Sequence, residues 1–157
     1  MTSQLTPLEQ LQLLVPGYRG YKVKDLIRQD DFLIRKAVAD KLEFTISKIN
    51  ELESNIASTS PFSPVLKSLE FTLSKIRTMI SELIGMQGGG SDIYARYKIN
   101  SEELDSIVNH DLQMISIADQ IYSLASNGNV EQINPLLDKL NSIIKERTTL
   151  FYPMEMR

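Results

Sequence analysis

Leu66, Leu69, Leu73, Ile76, Ile80 and Leu83 follow one another at alternating gaps of three and four residues. An α-helix turns once in about 3.6 residues, so this spacing returns each side chain to one face. The result is a single apolar seam, which a neighbouring helix must cover. Other stretches carry the same pattern. Val38, Leu42, Ile46, Ile49, Leu52 and Ile56 mark a long helix expected from about Lys22 to Ile56. Leu104, Ile107, Asp111, Met114, Ala118, Ile121 and Ala125 mark another, capped by Asn100 or Ser101. Leu136, Leu140, Ile143 and Leu150 mark a last one, from about Asn134 to Phe151. Strand signals are almost absent. The spacing predicts an all-α protein: an antiparallel helical bundle of about four long helices plus a short N-terminal helix.

The junctions agree. Thr6-Pro7-Leu8-Glu9 reads as a capping box, with Pro7 at the first helical position of a helix carrying Leu5, Leu8, Leu11, Leu14 and Val15. Pro16-Gly17 stops it. Ser63 and Pro64 read as cap and first residue of the third long pattern. Asn127-Gly128-Asn129 ends the fourth. With 157 residues, the chain reads as one domain. Residues 1–21 form a short helix and turn, 22–84 a long hairpin, 85–99 a glycine-rich connector, and 100–157 a second hairpin and tail. Residues 93–99 read equally as a short helix or an extended link.

Composition excludes several function classes. There is no cysteine, so disulfides, thiolate zinc sites and cysteine nucleophiles are ruled out. One histidine cannot build a ferritin-like dimetal site, which needs two Glu-x-x-His helices. His110 lies mid-helix, without a nucleophile elbow at any serine, and reads as a half-exposed helical residue. Gly88-Gly89-Gly90 has neither the preceding strand nor the following lysine of a phosphate loop. No catalytic residue, metal or cofactor is expected. No apolar run reaches the roughly 20 residues of a membrane span, and no secretory signal opens the chain, which points to the cytoplasm.

Two constellations stand out. Pro16-Gly17-Tyr18-Arg19-Gly20-Tyr21-Lys22 sets cations between aromatics. Tyr18, Arg19, Tyr21 and Lys22 are therefore the expected partner-binding residues. A nucleic-acid interface is the alternative, with rings stacking on bases and cations meeting phosphates. Asp25, Asp30, Asp31 and Asp40 weaken that alternative, since they interrupt the basic run. A structural reading has the tyrosines packing on the bundle, with the glycines supplying a tight turn. The second constellation is Asp111, a carboxylate on an apolar stripe, which is costly unless paired. Arg28, Asp31 and Arg35 share a helix face, so the expected network is Arg28–Asp31–Arg35–Asp111.

The chain also contains a near repeat. Leu42-Glu43-Phe44-Thr45-Ile46-Ser47-Lys48-Ile49 returns as Leu69-Glu70-Phe71-Thr72-Leu73-Ser74-Lys75-Ile76. A shared need for the same seam explains it most simply, and a duplicated hairpin with two equivalent faces is the alternative.

The Pro16-to-Lys22 motif, followed by Lys24, Arg28, Asp31 and Arg35, resembles the N-terminal motif of a family of small uncharacterised helical proteins of bacteria and archaea. The likeness continues through residues 92–99, Glu103-Leu104 and Asp111-Leu112. It implies a helical fold, groups the opening turn with Asp111 and carries no activity. The expected function is that of a non-enzymatic adaptor or scaffold with a protein partner. Peripheral attachment to a membrane assembly and self-association through an uncovered seam are further expectations.

Overall fold

A computed structural model describes residues 5–22, 27–85 and 101–150. The helices are α1 (Pro7–Leu14), α2 (Ile27–Thr59), α3 (Pro64–Gly85), α4 (Ser101–Ser126) and α5 (Ile133–Leu150). A 3-10 turn, Val130–Gln132, precedes α5 and was not expected from the sequence. Among the described residues no helix is long and apolar enough to cross a membrane.

The caps of α1 and α3 fall where the sequence puts them; of the two candidates for α4, Ser101 is the first helical residue and Asn100 lies outside the described residues. The Glu9 N–H donates to Thr6 Oγ1 at 3.2 Å, and the Thr6 N–H donates back to Glu9 Oε1 at 3.1 Å. Two of the orphan donors of α1 are thereby satisfied. At α3 the Val65 N–H donates to Ser63 Oγ at 3.3 Å. Helix α4 closes through Gly128, whose φ of +77° suits a residue without a Cβ. Lys22, the expected start of α2, is not helical and closes the preceding turn, its N–H donating to the Arg19 carbonyl at 3.4 Å, while residues 23–26 and 86–100 lie outside the described residues.

Sequential helices run antiparallel. Arg35, near the start of α2, donates from Nη1 to the Leu83 carbonyl near the end of α3, at 2.7 Å. Helices that meet across the two hairpins run parallel. Lys41 pairs with Asp119 at 3.0 Å, and nearly three turns before Lys41, at Asp31, α2 is level with α4 at Asp111 through their shared partner Arg147. Thr72 meets Asn134 at 3.4 Å and Lys75 meets Asp138 at 3.4 Å. The corners of the bundle are thus α2, α4, α5 and α3 in cyclic order. Contact is closest along α2–α4 and α2–α3, and least along α3–α5. A groove of about 220 Å³ follows that weakest edge, beside Phe71, Lys75, Met79 and Leu137. Helix α1 lies outside the ring against α4.

The seams make one core. Leu69, Leu73, Ile76, Ile80 and Leu83 of α3 share one buried cluster with Val38, Leu42, Ile46 and Ile49 of α2 and Ile107, Met114, Ala118 and Ile121 of α4. Burying each such side chain stabilises by about 1.5–3 kcal/mol. The near repeat keeps its burial position by position. Leu42/Leu69, Thr45/Thr72, Ile46/Leu73 and Ile49/Ile76 are buried, while Phe44 and Phe71 are 59% and 61% exposed. Thr45 and Thr72 each donate a hydroxyl to the carbonyl four residues back, of Lys41 and Ser68. The common seam explains the buried half of the match. It does not require a phenylalanine on the outer face of both helices.

Candidate functional site

The chain leaves α1 through a turn that only a few residues can make. Gly17 and Gly20 have φ of +90° and +66°, and Tyr21 follows at +64°. Positive φ is open to glycine and strained for tyrosine. A Cβ built on Gly20 would sit 2.7 Å from Leu8 Cδ1, so the turn also needs glycine there for close approach to α1. Asp30 in α2 holds the strained peptides. Its Oδ1 accepts from the Arg19 N–H at 2.8 Å and its Oδ2 from the Tyr21 N–H at 2.9 Å. Burial raises the Asp30 carboxyl above its ordinary range, and these two backbone bonds oppose the rise.

So held, the turn points both tyrosines inward. Their rings meet edge to face, with centroids 5.7 Å apart and planes at 88°. That geometry suits the ring quadrupoles. Both hydroxyls donate to Asp111 Oδ2, from Tyr18 at 2.9 Å and from Tyr21 at 2.6 Å. The other Asp111 oxygen accepts from Arg147 Nη1. Arg147 continues to Asp31 Oδ1, from Nε at 3.2 Å and Nη2 at 2.9 Å, and its Nη2 also donates to the Tyr21 hydroxyl at 2.8 Å. Asp31 Oδ2 accepts from Arg35 Nε at 3.1 Å. Two carboxylates and two guanidiniums give a formally neutral cluster. Asp31, Asp111 and Arg147 are all completely buried. Charges so placed persist only when paired and fully hydrogen-bonded, which this geometry provides.

The electrostatics follow from enclosure. Burial pushes the Tyr18 and Tyr21 phenols far above their ordinary value, and neighbouring Asp111 adds to the rise. For Arg147, burial works against the charge, yet Asp111 foremost and Asp31 hold it firmly protonated. The two phenols therefore stay protonated and Arg147 stays charged across the physiological range. Asp31 and Asp111 line none of the surface grooves beside α3–α5, α1–α4, α2–α3 or the outer side of α4. Among the described residues no group of three or more histidines, aspartates or glutamates could hold a metal ion.

Asp31, Arg35 and Asp111 thus meet in one buried network, with Asp31 and Arg35 paired at i,i+4. The side chain of Arg28 lies outside the described residues. Asp111 draws its cation from Arg147 of α5, not from Arg35 of α2, and this residue was missed in the sequence. A signal for it existed. Arg147 continues the spacing Leu136, Leu140, Ile143 and so stands on an apolar stripe, as Asp111 does.

Of the four turn residues expected to bind a partner, Tyr18 and Tyr21 are 1% exposed, while Arg19 and Lys22 are exposed. The two cations form no ion pair with a described residue. Lys22 borders a groove of about 360 Å³ with Leu8 of α1 and Leu104 and Val108 of α4. His110 is buried, at 7%, rather than half-exposed. Its Nε2 lies 2.6 Å from the Ile143 carbonyl, deep between α4 and α5.

No family model, no curated protein and no solved structure matches the chain.

Proposed function

We propose that the protein is a non-enzymatic interaction module, an adaptor or scaffold that acts in the cytoplasm through contact with another protein. One observation carries this reading. The two tyrosine hydroxyls of the most distinctive motif are engaged inside the bundle, while apolar side chains beside that motif face outward. Leu13 and Leu14, at the end of α1, are 73% and 54% exposed, and Arg19 and Lys22 follow them at the surface. Exposed leucines next to exposed cations are the makings of a contact surface with an apolar centre and a charged rim. Tyr18 and Tyr21 serve that surface from beneath, by fixing the turn that carries it. Because their rings are enclosed, a nucleic-acid partner would have no aromatic platform there. The resemblance of the motif to small helical proteins of bacteria and archaea fits this reading and adds no activity.

Affinity capture from the host lysate tests it, with the wild type, Leu13→Ser/Leu14→Ser and Arg19→Glu/Lys22→Glu as baits. The reading expects one defined protein retained by the wild type and lost from both variants, with their melting temperatures unchanged. Equal retention by all three baits, or retention of nucleic acid in place of protein, would overturn it. Retention of the chain's own untagged copy would redirect it toward self-association.

A further inference from the structure

His110 has a setting that nothing in the hydrogen-bonded cluster requires. Its ring is buried where α4 packs on α5. A carbonyl can only accept, so Nε2, at 2.6 Å from the Ile143 oxygen, must carry the ring proton. Nδ1 is then a lone-pair acceptor, and it is buried without a hydrogen-bond partner among the described residues. In an α-helix the Ile143 carbonyl is also the acceptor for the Arg147 backbone N–H, one turn on. The imidazole therefore grips α5 one turn before the guanidinium that holds Asp31, Asp111 and Tyr21.

We propose that protonation of His110 unlatches the end of α5 and, through Arg147, the N-terminal turn that carries Tyr18 and Tyr21. A second ring proton would place an N–H at Nδ1 with no acceptor, which costs about as much as any buried unpaired donor. It would also place a second buried cation beside Arg147. The charged groups around the ring do not cancel that cost. Arg147 of α5 opposes the added charge more than either Asp111 of α4 or Glu146 of α5 favours it, and burial opposes it most. The tyrosine hydroxyls of the N-terminal turn bond Asp111, and Tyr21 and Asp31 of α2 bond Arg147. Relief comes from parting α5 from α4 at this level. That parting withdraws Arg147 from Asp111, and Tyr21 loses its acceptor role. The α2–α3 hairpin keeps its own seam and is not called on to open.

The sign follows from linkage. Folding holds His110 below its ordinary value of 6.5, so the closed state is favoured above pH 6.5 and loses ground as pH falls below it. If the opened state titrates normally and the closed state stays neutral, opening at pH 5.5 is favoured by up to about tenfold over neutral pH.

Amide hydrogen exchange on the intact protein tests the latch, with protection referred to the intrinsic rate at each pH. The expected result is a loss of protection of up to about tenfold between pH 7.5 and 5.5 in residues 143–147 and 18–22. The α2–α3 hairpin should be unchanged. His110→Gln keeps a donor for the Ile143 carbonyl and cannot charge, so it should abolish the pH effect. Because the chain has one histidine, its ring signal can also be followed by NMR in the wild type without any substitution. That signal should titrate below the ordinary histidine range, together with the local opening. The same loss in His110→Gln would assign the effect to carboxylates. Uniform loss across all helices, or titration of His110 without any opening, would overturn the proposal.

Discussion

Replacing Asp111 with Ala should be among the most damaging single changes to this bundle. The carboxylate accepts from Tyr18, Tyr21 and Arg147, and all four groups are inaccessible to water. Removing it leaves the cluster with Asp31 against two guanidiniums, so one buried positive charge is uncompensated. Breaking a buried pair from one side costs about 3–5 kcal/mol. The two phenol donors add cost, but they share an acceptor with the arginine, so their contributions are not additive. We therefore expect a loss of about 3–5 kcal/mol in urea unfolding followed by circular dichroism. For a chain of this length that is a fall of roughly 10–15 °C in Tm. Asp111→Asn should lose nearly as much, since it keeps the shape and removes the charge. Adding Arg147→Met to Asp111→Ala should recover part of the loss, because the stranded cation goes with its partner. A loss under about 1 kcal/mol for Asp111→Ala, the size of a surface change, would refute the reasoning.

The remaining expectations concern the turn and the surface. In the folded protein Tyr18 and Tyr21 should resist ionisation, so tyrosinate absorbance should show these two titrating only on unfolding. The unfolded chain releases those protons near the ordinary value of 10.0 and the folded one does not, so stability should fall as pH rises past 10.0. Tyr18→Phe/Tyr21→Phe should flatten that fall. Gly20→Ala should destabilise by about 1–3 kcal/mol in the same urea assay, through its positive φ and the contact with Leu8. Leu13→Ser/Leu14→Ser and Arg19→Glu/Lys22→Glu should unfold within about 0.5 kcal/mol of the wild type, since all four side chains are exposed.

What could be read from the chain, and what could not, divides along a physical line. Helix spacing and caps are local, so the Thr6–Glu9 box, the Ser63 cap and the α3 seam were legible from neighbouring residues. Asp111 was legible as a misfit, because a carboxylate on an apolar stripe demands a partner. The partner's identity depends on which helices are neighbours, and spacing does not encode that. Arg28 and Arg35 share a helix face with Asp31 and so looked like the natural cations, yet Arg147 of α5, 36 residues from Asp111, takes the place. The tyrosines were ambiguous for a related reason. An aromatic in a glycine-rich turn can face either way, and the deciding contacts come from Asp30 and Asp111, 9 and 90 residues from Tyr21. His110 was misjudged because a mid-helix histidine has no local signature of burial. Its Ile143 contact spans 33 residues.

The N-terminal turn is tied to the bundle through a buried hydroxyl–carboxylate–guanidinium cluster. A double-mutant cycle on Tyr21→Phe and Asp111→Asn measures that tie directly by urea unfolding. The account expects a coupling energy of about 1–3 kcal/mol between two residues on separate elements. Additive losses, with coupling under about 0.5 kcal/mol, would contradict it.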